Sequence, residues 1–164
     1  MTPPELRMIV VNSSKWPDDF AVHRMYCCPA KENGFDPSYR HYPAKYVANY
    51  VSKGARYIGV VAACVRLNKT SPAEVLWKFD NISDSDAIRL AEEVRATTKR
   101  NATRCLVFLQ TQLTATEFEY DHQGGLQNSR VYFDLTDLAP TGVKDLAEKL
   151  LSTPWSALSK WKPE

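Results

Sequence analysis

At 164 residues, 44% of them hydrophobic, the chain suits one domain with one core and is too apolar for wholesale disorder. The formal net charge is only +2, and no apolar run approaches the ~18 residues that a membrane-spanning helix needs. The opening Met1-Thr2-Pro3-Pro4-Glu5 has neither the basic start nor the apolar stretch of a signal peptide, so a single domain over residues 1–164 in the cytoplasm is expected.

In chain order, Arg7 to Ser13 (RMIVVNS) reads as a short buried strand, rich in β-branched residues. Ser14-Lys15-Trp16-Pro17-Asp18-Asp19 breaks it. Phe20 to Cys28 is a weaker extended segment, and Pro29 to Pro43 is loop, punctuated by Gly34 and Pro37. Lys45–Val51 and Arg56–Leu67 flank Ser52-Lys53-Gly54-Ala55 and predict a hairpin. The second run, RYIGVVAACVRL, is apolar on both alternations, so it is expected to be a central strand covered on both faces. Gly59 inside it suggests a bulge or a close backbone approach.

Glu74 to Phe79 predicts another strand with Trp77 inward. Ser83 then caps a helix, with Asp86 three residues on and acidic Asp84 and Asp86 favouring the positive end of the helix dipole. Ala87, Ile88, Leu90, Ala91 and Val94 form its apolar stripe, and the helix is expected to end near Lys99 or Arg100. Arg104 to Gln110 and Arg130 to Leu135 read as strands, separated by a long loop, Thr111 to Ser129. A helix from Val143 to Leu151 follows, then an amphipathic tail with Trp155 and Trp161. Runs of strands rather than strict alternation argue for an α+β fold: a small curled mixed sheet or barrel with flanking helices.

Charge is unevenly spread. Residues 1–69 carry ten Lys/Arg against five Asp/Glu, and the remainder eleven against fourteen, so the basic half can attract phosphate. None of the four cysteines forms a C-x-x-C pair, and no histidine sits at a zinc-binding spacing, so no metal or cofactor is implied. Trp16, Tyr39, Tyr42, Tyr46, Tyr50 and Tyr57 interleave with Lys15, Arg40, Lys45, Lys53, Arg56 and Arg66. That pattern can pair stacking on bases with neutralisation of phosphates. It is equally the pattern of ordinary strand aromatics beside a solvated charged face.

The first strand running into Asn12-Ser13-Ser14-Lys15-Trp16 resembles the start of PUA-like domains, particularly the EVE and YTH branches. The hairpin Tyr46-Val47-Ala48-Asn49-Tyr50 … Arg56-Tyr57-Ile58-Gly59-Val60-Val61 is similar to theirs as well. The Lys-Ser-Glu-Pro turn typical of EVE domains is absent. The resemblance covers about residues 7–67. It implies RNA or DNA binding, often of a modified or flipped base, in association with restriction or RNA modification. On this reading the domain is non-catalytic. Asn12, Ser14, Trp16, Tyr46 and Tyr50 are expected to line one cavity, with Lys15, Arg56 and Arg130 at its rim, where Asn12 and Ser14 supply donors and acceptors for a base edge.

Two other readings stand beside it. Glu117, Glu119, Asp121 and His122 could hold a divalent metal in a nuclease, yet no Asp-x-Lys or Glu-x-Lys occurs anywhere in the chain. Alternatively, exposed Trp155 and Trp161 could anchor a protein partner. Gly124-Gly125-Leu126-Gln127-Asn128 before Arg130 offers a close-approach loop with base-edge donors and acceptors.

Overall fold

A computed structural model describes residues 2–12, 25–29, 42–51, 53–67, 72–79, 81–96, 105–122 and 130–163. Among these residues are seven strands: β1 (Arg7–Asn12), β2 (Met25–Pro29), β3 (Tyr46–Tyr50), β4 (Gly54–Leu67), β5 (Glu74–Lys78), β6 (Cys105–Glu119) and β7 (Arg130–Asp134). Two helices accompany them, α1 (Asp84–Ala96) and α2 (Val143–Leu151). The fold is α+β with a mixed sheet. Among the described residues no helix is long and apolar enough to cross a membrane.

The strand order is β2-β6-β4-β3-β1-β7, with β5 pairing the second half of β4. Only β1 and β3 run parallel; the other pairings are antiparallel. β2 and β7 stand at opposite ends of this order and do not pair, so the sheet is open and the closed barrel variant does not form. The outer edge of β7 is covered by the chain itself: the Asp134 amide donates to the Ser159 carbonyl and the Trp161 amide to the Tyr132 carbonyl, with a bridge between Phe133 and Lys160.

Each face of the sheet carries apolar side chains. On the first face Met8, Val10, Tyr46, Ala48, Tyr50, Ile58, Val60 and Phe133 meet Val143, Leu146, Ala147 and Leu150 of α2. That stripe recurs at three- and four-residue intervals, so one side of α2 is buried while Leu151 points outward. Trp155 closes this core. Its ring stacks on Phe118 with centroids 5.0 Å apart and meets Phe133, Tyr120 and Tyr50 edge-on. Further along the same face, Ala87 and Ala91 of α1 seat against Ala63, Val65, Leu67, Val107 and Leu109. The Ser83 hydroxyl accepts from the Asp86 amide at 3.2 Å and caps α1 as its sequence predicts. On the second face lie Ile9, Val11, Val47, Val61, Cys64, Phe108 and Tyr132.

β6 corrects the expected loop over Thr111 to Ser129. The strand continues to Glu119, with Thr116 and Phe118 buried and Glu117 and Glu119 exposed. Gln112, Ala115, Glu117 and Glu119 form the exposed side of the strand, while its threonines are half-buried or buried, a place their β-branched side chains suit. The Thr116 hydroxyl donates to the Ala147 carbonyl at 2.8 Å, tying β6 to α2.

Candidate nucleic-acid interface

The hairpin between β3 and β4 holds the most distinctive geometry. Lys53 takes the left-handed conformation, φ 63°, and the Val51 amide donates to the Gly54 carbonyl. Gly54 is needed for close approach, because a Cβ there would lie 2.8 Å from the Phe118 carbonyl oxygen. Beyond the turn, Ala48 pairs with Ile58 and Tyr50 with Ala55, so two residues of β4, Arg56 and Tyr57, stand against the single residue Asn49.

Asn49 is buried, and its side chain holds this bulge. Oδ1 accepts from the Tyr57 amide at 2.8 Å and from the Arg56 amide at 3.3 Å. The extra residue shifts the phase of the strand. Ala55 and Ile58 both point into the first-face core, and both residues between them are exposed. Tyr57, at 37% exposure, is the one exposed aromatic among the described residues, and a cation stands directly before it.

Beyond Tyr57, pleat alternation puts Gly59 and Val61 on the same second face, since Ile58 and Val60 point to the first. Asn49 shares that face, because its neighbours Ala48 and Tyr50 lie under α2. Val11 is opposite Asn49 on β1, and Arg130 is opposite Val11 on β7. Arg130 alternates with Val131, which packs on the first-face core, so it too belongs to the second face. Arg130, Val11, Asn49 and the bulge thus form a row across four strands spaced about 4.8 Å apart.

The residues expected from sequence divide among different places. Tyr46 and Tyr50, at 2% and 6% exposure, are packed in the first-face core, where Tyr50 meets Tyr120 and Trp155 edge-on. This corrects their expected role: a ring enclosed by α2 and Trp155 has no free face for a base. Asn12 is opposite Tyr50 and exposed, at the same end of the sheet as Arg56 and Arg130. Ser14, Lys15 and Trp16 lie outside the described residues, as do Gly124, Gly125, Gln127 and Asn128. Tyr57 is the aromatic that sequence reasoning placed in the interleaved set but did not choose for the site. Its signal was its place next to Arg56, at the start of a run too long to match its partner strand.

The features behind the other two readings are engaged elsewhere. Trp155 is 1% exposed, which corrects its expected exposure. Half-buried Trp161 meets Tyr42 and Tyr132 edge-on, with the Arg7 guanidinium 4.0 Å from its ring centroid. Arg7 is itself buried and donates to the carbonyls of Thr2 and Pro43; burial lowers its pKa. The Asp121 carboxylate accepts from the hydroxyl and amide of Ser156, which holds its pKa below the ordinary value. Among the described residues no group of three or more His, Cys, Asp or Glu side chains is placed to hold a metal ion. The purified chain is expected to leave RNA and DNA intact in magnesium or manganese; reproducible cleavage abolished by Glu119→Gln would establish the nuclease reading instead.

No family model, curated protein or solved structure matches the chain.

Proposed function

We propose that this chain is a non-catalytic nucleic-acid-binding module of the PUA-like kind, reading a base of RNA or DNA at the Arg56–Tyr57 bulge. The observation that carries the reading is the bulge itself. A buried asparagine fixes two backbone amides so that an aromatic ring and a guanidinium are held outward side by side. A base stacks on the tyrosine ring, while Arg56 and, across the row, Arg130 hold the flanking phosphates. Prior fixing of the backbone lowers the entropy lost on binding. The basic balance of residues 1–69 supports the same partner through long-range attraction. The hairpin's likeness to PUA-like domains agrees with it, with Tyr57 in the stacking role instead of Tyr46 or Tyr50. The base read is flipped or single-stranded, since stacking on a side chain requires an unpaired face.

Fluorescence anisotropy against labelled single-stranded and duplex oligonucleotides, unmodified and methylated, over a salt series tests this. Tyr57→Ala is expected to weaken binding about 5- to 150-fold, the equivalent of 1–3 kcal/mol of stacking, without changing the salt slope. Arg56→Ala is expected to reduce that slope by about one phosphate contact. Full affinity in the double variant, or no binding by the wild type at low salt, would exclude the bulge as an interface.

A further inference from the structure

Buried side-chain polar atoms nearly always find a hydrogen-bond partner, so a cluster of them without one calls for a physical explanation. Among the described residues five buried side-chain atoms have none: Gln110 Oε1 and Nε2, Thr111 Oγ1, Trp77 Nε1 and Arg66 Nε. All fall on the adjacent strands β4, β5 and β6. Gln110 stands out because its whole carboxamide is unpartnered at 6% exposure.

Gln110 is opposite Val61 of β4 and so lies on the second face, the face of Tyr57 and Asn49. Its side chain folds over Gly59. A Cβ at Gly59 would lie 3.3 Å from Gln110 Oε1 and 3.4 Å from Gln110 Cβ, so the absence of a side chain there is what gives the amide its room. Gly59 is two residues from Tyr57 along the same face, about 6.8 Å. The cover over this face ends beyond Gln110: Ala115, opposite Tyr57, is exposed. Gln112 has φ 52°, and the register of β6 against β4 slips between Thr111 and Thr114. Two residues before Gln110, Phe108 offers an apolar wall, with Trp77 edge-on to it at 5.5 Å.

We infer that Gln110 reads the donor–acceptor edge of a base stacked at Tyr57, and that the base is adenine. This rests on the reading of the bulge as an interface. A carboxamide presents one acceptor and one donor side by side, and adenine answers with its amino group and the adjacent ring nitrogen, the pairing by which glutamine and asparagine select adenine.

The test is a calorimetric titration of the intact chain with adenosine and with purine riboside, which lacks the amino group, alongside oligodeoxyadenylate and an oligonucleotide without adenine. Wild type is expected to bind adenosine at least about 10-fold more tightly than purine riboside, and oligodeoxyadenylate more tightly than the adenine-free strand. Gln110→Met keeps the volume and removes two unpartnered polar atoms, so it should melt at or above the wild-type temperature yet lose the preference. Should that variant fail to fold, the two nucleosides on wild type still decide the matter. Equal affinity for them, or an unchanged preference in Gln110→Met, overturns the inference. Salt-dependent oligonucleotide binding that needs Arg56 but shows no adenine preference retires Gln110 and leaves the bulge interface standing. Absence of any binding removes the interface and the inference together. If adenosine binds and oligodeoxyadenylate does not, the site takes the free nucleoside and not a base in a strand, which overturns the bulge as a nucleic-acid interface.

Discussion

Trp155→Ala is expected to cost about 3–5 kcal/mol of stability, the range for removing a large aromatic from a core. Trp155 is the point where the chain's last turn meets the first-face core. Its indole stacks on Phe118 at 5.0 Å with the rings 14° from parallel, and its edges engage Phe133, Tyr50 and Tyr120. Three of these partners come from β6, β7 and β3 and the fourth directly follows β6, so the surrounding strands cannot collapse inward without losing their own pairing. The cavity therefore persists, and the loss should stay near the top of the range. For a domain of this size the melting temperature should fall by about 10 °C or more, as read by calorimetry or urea denaturation. A variant melting within two degrees of wild type would show that the ring is not packed as described.

Val60→Asp is expected to be as severe, for an electrostatic reason. Val60 is buried in β4, between Tyr46 of β3 and Thr111 of β6, with its side chain in the first-face core. The residues packed around it in that core are hydrophobic. An introduced carboxylate would be desolvated without a partner, at a cost of several kcal/mol. The cost has a sign in pH. Burial raises the pKa of the introduced group above its unfolded value, so the penalty is small below about pH 4 and grows as pH rises towards the folded pKa. The stability gap from wild type should thus be smaller at pH 4 than at pH 7, measured by denaturant unfolding at both. A gap independent of pH would mean that the group is solvated, and that β4 is not the covered strand.

Much of the fold is readable from local pattern. The stripe of Val143, Leu146, Ala147 and Leu150 gives α2 its limits, and Ser83 marks the start of α1. The doubly apolar run after Arg56 marks β4 as central, and it is bonded on both edges. What pattern could not supply is partnership. Thr111 to Glu119 is polar on its outer side, and a strand with one wet face looks like a loop until the partner that fixes its alternation is known. Tyr46 and Tyr50 have the composition of a stacking pair, and only the packing of α2 against β3 decides that they are core. Trp155 looks like an exposed anchor in an amphipathic tail for the same reason: its four aromatic contacts all lie far away in sequence. The candidate site was legible in part. Arg56, Arg130 and Asn12 come to one end of the sheet, whereas the significance of Asn49 and Gln110 depends on hydrogen bonds made and not made.

The irregular pairing of β4 also bears on how this chain can change in length. Val61 is opposite Gln110 and Ala63 is opposite Leu109, so Ala62 has no counterpart. Before it, Ile58 and Val60 point to the helices; after it, Ala63, Val65 and Leu67 do. The strand is therefore two half-strands in opposite phase, joined at Ala62. Deleting that one residue would restore a regular ladder and leave Ala63, Val65 and Leu67 facing α1, because Val61 and Ala63 already lie on opposite faces and pair with adjacent residues of β6. β6 carries compensating extra residues between Thr111 and Thr114 and again between Ala115 and Phe118. A lone gap at Ala62 is consequently compatible with the same core, whereas a lone gap inside either half of β4 turns over the residues between it and the bulge.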